Sequence, residues 1–305
     1  MVWCSTGGPG LIQSRNQYLT MDPTDYPPLL SAEQVKQFQG DGFLCLRGFY
    51  DLVAEIAPIQ HGIHQIIGLL IRKYGLSLAH PPFQPAAFDS GYQELIAHDR
   101  KIGGEVYDAV KQIPAFIRLV ACERHDRLMM QLRGTDMPAV AAGGYGIRID
   151  NPGEEKFRAN WHQDYPSQFR SMDGLIFWSP LVEVTEELGP LQIAVGSHRD
   201  GIAPILTRDP DNPEKTGAYA LRLKDEAERV ARYRVVQALL SPGDLLVIDY
   251  LNLHASGCNR SRRSRWSMQN RYFNFRDPAG QQIGWVGSFA AGKNIRDVHP
   301  GMIAD

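Results

Sequence analysis

The chain changes texture near its middle. In the first half, apolar residues recur every three or four positions, the spacing that gathers them on one stripe of a helix. Leu52 to Tyr74 carries Ile56, Ile59, Ile63, Ile66, Ile67, Leu70 and Ile71 in this rhythm and predicts an amphipathic helix. Ser31 reads as a cap for a helix over Ala32–Gln39, stopped by Gly40-Asp41-Gly42. Beyond the break at Pro81-Pro82, Tyr92–His98 and Gly104–Gln112 predict shorter helices, and Ile113–Leu132 a longer one with Pro114 near its start. From Tyr145 onward the pattern becomes short runs bounded by Pro, Gly and Asn, as expected of strands. Tyr145–Asp150, Leu175–Leu181, Leu245–Tyr250 and Ser267–Phe275 are the clearest of these, and Asp225–Arg232 is a short helical exception. Helices followed by strands predict an α+β fold, mainly β at its core, with helices over 31–132 buttressing a β-sandwich or barrel over 143–290.

Two segments fall outside this rhythm. Residues 1–30 are rich in Gly, Pro and Ser and read as an irregular N-terminal arm. Residues 201–234 are highly charged and long for a connection inside a compact domain, so they are a candidate lid. A chain of 305 residues with 43% hydrophobic content can bury one large core, and the whole length is expected to form a single domain.

Charge and cysteine usage narrow the function classes. A net charge of −2 without a basic or acidic tail offers no field for nucleic acid or membrane surfaces. No window reaches the roughly eighteen apolar residues of a membrane span. Cys4, Cys45, Cys122 and Cys258 lack C-x-x-C spacing and read as reduced thiols, which points to a reducing, cytoplasmic setting. Oligomeric state leaves no mark in the pattern.

The candidate chemistry lies in His162-Gln163-Asp164 and, about ninety residues further on, His254. Two imidazoles and one carboxylate form the facial ligand set of non-haem iron(II) oxygenases. Side chains at i and i+2 share a face on a strand and diverge on a helix, so His162 and Asp164 are expected to chelate from extended chain. His254 follows the apolar run Leu245–Tyr250 and is expected at a strand end. His61 and His64 share a helix without a third ligand nearby and read as surface imidazoles. Arg148 and Asp150 fall on one face of a strand. An inward face would make Arg148 a second cation near the metal and suggest an anionic substrate; an outward face would leave the two as a surface pair.

The surrounding phrases make a specific resemblance. His162-Gln163-Asp164 is followed by Glu186-Glu187-Leu188-Gly189-Pro190-Leu191-Gln192, then Gly196-Ser197-His198, then His254, with Arg265 eleven residues beyond it. Together with Asp41-Gly42-Phe43-Leu44 upstream, this resembles the phytanoyl-CoA dioxygenase (PhyH-like) family of iron(II)/2-oxoglutarate-dependent oxygenases over roughly residues 33–275. Val195 stands where the family has proline. The resemblance implies a double-stranded β-helix (jelly-roll, cupin-like), with His162, Asp164 and His254 as iron(II) ligands. It also implies that Arg265 and Ser256 bind the distal carboxylate of 2-oxoglutarate, a role suited to the planar fork of guanidinium. With O2 as the third reactant, the implied activity is hydroxylation of an unactivated C–H of a small metabolite, releasing succinate and CO2. Because Asp164 is present, the halide position of related halogenases is absent. In that family the loop after the H-x-D pair approaches substrate, making Tyr165, Gln168 and Arg170 candidates. The alternative is a cupin-like metal-binding protein or isomerase that does not use 2-oxoglutarate, for which a carboxylate fork at Arg265 would have no purpose.

Overall fold

The computed structural model describes residues 27–287 and 295–304. The N-terminal arm therefore lies outside the described residues up to position 26, as does Cys4, and the expected β region loses 288–290. Helix α1 (Ala32–Asp41) begins in a capping box between Ser31 and Gln34 and ends at Gly42, whose φ of 77° is left-handed. A Cβ there would meet His198 Nδ1 at 2.4 Å and Asn252 Oδ1 at 2.5 Å, so only glycine fits this turn. A wide π-turn over Leu52–Ile56, capped by Asp51, leads into α2 (Ala57–Lys73). Then follow α3 (Tyr92–His98), α4 (Ile102–Val110), α5 (Pro114–Val120) and α6 (Glu123–Arg133).

The single helix expected over Ile113–Leu132 is thus two. Its break at Ala121-Cys122 is held from outside the segment by Tyr272, which donates to the Val120 carbonyl at 2.9 Å, and from within it by His125, whose Nδ1 lies 3.3 Å from the same oxygen. Tertiary partners satisfy the carbonyl that another helical turn would have used. The reading of His61 and His64 as surface groups holds for His61 alone, since His64 is buried with its ring stacked on His80 at 4.0 Å.

In chain order the strands are β1 (Phe43–Leu46), β2 (Pro138–Val140), β3 (Gly146–Asp150), β4 (Leu175–Pro180), β5 (Leu191–Ala194), β6 (Ile205–Leu206), β7 (Arg222–Leu223), β8 (Val235–Ala238), β9 (Leu245–Asp249), β10 (His254–Ser256) and β11 (Arg265–Asn274). Six of them form a major sheet in the order β1-β9-β4-β11-β2, with β3 also paired to β11. A minor sheet runs β10-β5-β8, and β6 pairs with β7 apart from both. Alternation decides what each face of the major sheet does. Leu175, Phe177, Leu245, Val247, Trp266, Met268 and Tyr272 join the core formed with the helices. Ile176, Trp178, Leu246 and Ile248 face the other way into a second core. On β11 the residues alternating with Trp266 and Met268 are Arg265, Ser267, Gln269 and Arg271, so this strand turns its polar edge toward the interior between the sheets.

His125 on α6 packs where helices meet sheet, stacked on Phe177 at 4.6 Å, with Nε2 2.6 Å from the Tyr50 hydroxyl. Burial holds its pKa down at about 3. The unfolded chain takes up a proton near pH 6.5 and the folded chain does not, so acid favours unfolding between those two values. At pH 5 this costs about 2 kcal/mol. In denaturant melts, the stability gap between wild type and His125→Gln is expected to narrow by about that amount from pH 7 to pH 5. A gap that stays constant would show that His125 does not carry the acid sensitivity.

Candidate metal centre

His162 and His254, the latter at the start of β10, meet as an isolated antiparallel bridge. Each backbone N–H donates to the other's carbonyl, at 3.0 and 3.1 Å, and the rings lie 4.3 Å apart. The extended chain expected around His162 shrinks to this single pair, because Glu155–Phe157 forms a 3-10 turn and Asp164 has helical backbone angles, φ −72° and ψ −32°. Asp164 stands at the head of the short helix α7 (Tyr165–Gln168), with Pro166 in its first turn. The carboxylate therefore reaches the imidazoles by a turn of the chain and not by strand alternation.

The ligand atoms of His162, Asp164 and His254 all lie within 4.8 Å of one another, so the three can hold one metal ion. Asp164 Oδ1 is 3.4 Å from His162 Nε2 and 3.8 Å from His254 Nε2. Each imidazole turns Nδ1 to the carbonyl two residues before it, His162 to Asn160 at 2.7 Å and His254 to Asn252 at 3.0 Å. Nδ1–H donating to a carbonyl leaves the Nε2 lone pair for a metal. Burial, with His162 next to it, holds the His254 pKa down at about 4, which keeps its ring neutral and able to ligate at neutral pH. Burial alone would push the Asp164 carboxyl up; the Arg271 guanidinium and the two histidines outweigh it and hold the group well below the usual carboxylate range.

Backbone packing fixes where the ligands sit. Gln163 points away from them and stitches three segments, donating to Leu251 O at 2.6 Å and Gly201 O at 2.8 Å and accepting from Ala203 N at 2.8 Å. The Gly-Ser-His phrase grips the loop before His254: Ser197 donates to Asn252 Oδ1 at 3.0 Å and accepts from Leu253 N at 2.8 Å. His198 itself turns to the Gln39 carbonyl at 3.1 Å. The Gly-Pro pair packs backbone against backbone on the chain after Ser256. A Cβ on Gly189, where φ is 71°, would lie 2.6 Å from the Gly257 oxygen.

Arg265 opens β11 and is completely buried. Its Nη2 donates to Ser256 Oγ and to Asp150 Oδ2, both at 2.9 Å. Its Nε and Nη1 are buried without a hydrogen-bond partner among the described residues. A buried cation with two donors left open is costly unless a ligand meets them, and a carboxylate has the charge and the acceptors to do so. Asp150 also accepts from Arg148 Nε at 2.8 Å, and the register pairs Asp150 directly with Arg265. The surface-pair reading of Arg148 does not hold: it is paired with Asp150, but it lines the pocket beside the site.

A pocket of about 740 Å³ opens over the ligands, lined by His162 and Asp164 together with Tyr145, Arg148, Gln168 and Arg271. Of the other expected substrate residues, Tyr165 is buried with its hydroxyl 2.8 Å from His299 Nε2. Arg170 donates to Ala142 O at 2.5 Å and packs close to Gly287. Neither lies in the pocket wall. Residues 201–234 supply Ile205, Lys215 and Arg222 to that wall, and the buried Asp209 accepts from Lys215 at 3.1 Å and Arg222 at 3.5 Å.

Arg271 is the residue that the motif reading missed. Its Nε donates to Asp164 Oδ2 at 2.5 Å. The signal was present in the period of β11, since steps of two from Arg265 arrive at Arg271.

The chain matches the sequence model of the Phytanoyl-CoA dioxygenase (PhyH) family over residues 38–267. No curated protein sequence matches it. Among solved structures it is similar to the non-heme alpha ketoglutarate dependent carbocyclase SnoK from nogalamycin biosynthesis. The identity is 15%, covering 82% of this chain and 88% of that one, with a TM-score of 0.52. It is also similar to EctD from S. alaskensis with 2-oxoglutarate and 5-hydroxyectoine, at 19% identity over 85% of this chain and 79% of that one, with a TM-score of 0.53. At these identities the likeness is one of fold, mixed helix and sheet. With three-quarters of its length covered by the family's model and a His-Asp-His set able to hold a metal, the chain belongs to the phytanoyl-CoA dioxygenase (PhyH) family of iron(II)/2-oxoglutarate-dependent oxygenases.

Proposed function

We propose that this protein is an iron(II)- and 2-oxoglutarate-dependent dioxygenase that hydroxylates an unactivated C–H of a small metabolite, releasing succinate and CO2. The observation that carries the reading is the pairing of two sites: three clustered metal-capable side chains, and a buried Arg265 whose Nε and Nη1 have no partner among the described residues. A cupin-like protein or isomerase working with the metal alone would leave those donors unused. The fold is read as one domain built on a double-stranded β-helix, with residues 201–234 as a lid over the pocket. No described helix is long and apolar enough to cross a membrane, and Cys45, Cys122 and Cys258 are unpaired, in keeping with a reducing, cytoplasmic setting.

His162, Asp164 and His254 would hold the metal through one ligand atom each. When bound there, iron(II) with 2-oxoglutarate and dioxygen supplies the oxidising power that breaks the substrate C–H bond. Arg265 and Ser256 bind the distal carboxylate of the co-substrate, and Asp150 holds Arg265 in place from the neighbouring strand. Gln168 and Arg148, in the pocket wall, orient the substrate. Tyr165 and Arg170 act from behind it, bracing the α7 turn.

The test is co-substrate consumption. Protein supplied with iron(II), 2-oxoglutarate and oxygen is expected to form succinate slowly without substrate and faster with one, and His162→Ala is expected to form none. Succinate release by His162→Ala at the wild-type rate would contradict the assignment.

A further inference from the structure

We infer that Arg271 is a positioning residue for the metal, holding Asp164 so that one carboxylate oxygen alone is offered to it. The inference rests on the reading of His162, Asp164 and His254 as the iron site, and adds a residue that the family motif does not contain.

Arg271 lies six residues beyond Arg265 on the interior edge of β11, its Cα fixed opposite Ile176 of β4. All three guanidinium nitrogens are anchored. Nε donates to Asp164 Oδ2 at 2.5 Å, Nη1 to the Gly144 carbonyl at 3.1 Å and Nη2 to Gln269 Oε1 at 3.2 Å. Three anchors on one planar group fix its orientation, and through Oδ2 they fix the plane of the carboxylate. The other oxygen, Oδ1, faces the two imidazole nitrogens at 3.4 and 3.8 Å. The Asp164 side chain is only 2% exposed and that of Arg271 17%, so water competes little for this pair.

The consequence concerns the number of open positions. A carboxylate with both oxygens free can bind a metal through one or through both. Three single-atom ligands leave three positions of an octahedral ion open, which a two-oxygen co-substrate and dioxygen would fill. A two-oxygen aspartate would take one of these. With Oδ2 committed to Arg271, Asp164 contributes a single atom and the third position stays free. The guanidinium also compensates the charge of a buried carboxylate before any metal arrives.

The experiment is titration of the metal-free protein with Co(II) alone, followed by visible absorption and by competition with a chelator, on wild type, Arg271→Met and Arg271→Lys. Arg271→Met is expected to bind Co(II) about 10- to 100-fold more weakly, the usual cost of removing a partner of a metal ligand. Its Co(II) absorption is also expected to differ from that of wild type, reporting an altered coordination number. Arg271→Lys keeps the charge without the fork, so part of the affinity should return while the spectrum stays altered. Thermal melts of the metal-free variants establish folding, and if the methionine variant does not fold, the lysine variant decides on its spectrum. A folded variant with wild-type affinity and wild-type spectrum overturns the inference and leaves the iron site standing. Wild-type protein that binds no Co(II) overturns the iron site, and the inference with it.

Discussion

Asp164→Ala is expected to abolish succinate formation and to lower iron(II) affinity more than about a hundredfold, since loss of a ligand should exceed the 10- to 100-fold typical of losing a ligand's partner. Asp164 is the only carboxylate in the cluster, its Oδ1 sitting between the two imidazole nitrogens. Without it, only the two imidazoles remain, and no carboxylate offsets the positive charge of the ion. The same substitution strips Arg271 of its carboxylate partner, leaving it the Gly144 carbonyl and Gln269 Oε1, and breaking a buried ion pair costs up to about 3–5 kcal/mol of stability. Asp164→Asn separates the two effects. It keeps an oxygen acceptor for Arg271, so its melting temperature should lie closer to wild type, while iron binding should still be severely weakened. The pair of variants is read by iron retention after desalting and by thermal melts. Full iron retention in a folded Asp164→Ala protein would show that the carboxylate is not a ligand.

Arg265→Ala is expected to leave iron binding within a few-fold of wild type and to weaken 2-oxoglutarate binding by about 2–5 kcal/mol, roughly thirty- to several-thousand-fold. Arg265 lies behind the ligands and touches none of them; its contacts are Ser256 and Asp150. The fold should survive the change because Asp150 keeps Arg148 as a partner. Arg265→Lys supplies a charge without a fork and should recover only part of the affinity. Isothermal titration of the iron-loaded variants with 2-oxoglutarate under nitrogen reads the effect. Unchanged affinity in Arg265→Ala would remove this residue from the co-substrate site.

What the sequence made legible follows from which signals are local. The apolar runs in Leu175–Leu181 and Leu245–Tyr250 mark β4 and β9, because burial on both faces of a central strand leaves such runs, and the alternation in Ser267–Phe275 marks β11. His162, Asp164 and His254 were recognisable by residue type and spacing, and the structure brings them together. The backbone that achieves this was not legible. Asp164 begins a helical turn where an extended chain was expected, because Pro166 suits the first turn of a helix as well as it ends a strand. The break between α5 and α6 has no proline or glycine to mark it, and it depends on Tyr272, some 150 residues away in sequence. The pairing of Asp150 with Arg265 and of Arg271 with Asp164 likewise joins side chains more than a hundred residues apart, which no local pattern encodes.

One metal and one 2-oxoglutarate are expected to bind together in this pocket. The measurement that tests it most directly is an anaerobic titration of metal-free protein with iron(II) and then 2-oxoglutarate, watching for the visible charge-transfer band of the iron–co-substrate chelate, with Arg265→Ala alongside. A band that saturates in wild type and needs much more 2-oxoglutarate in Arg265→Ala is the predicted result. Iron bound in wild type with no band at any 2-oxoglutarate concentration would contradict the account and favour a protein that works with the metal alone.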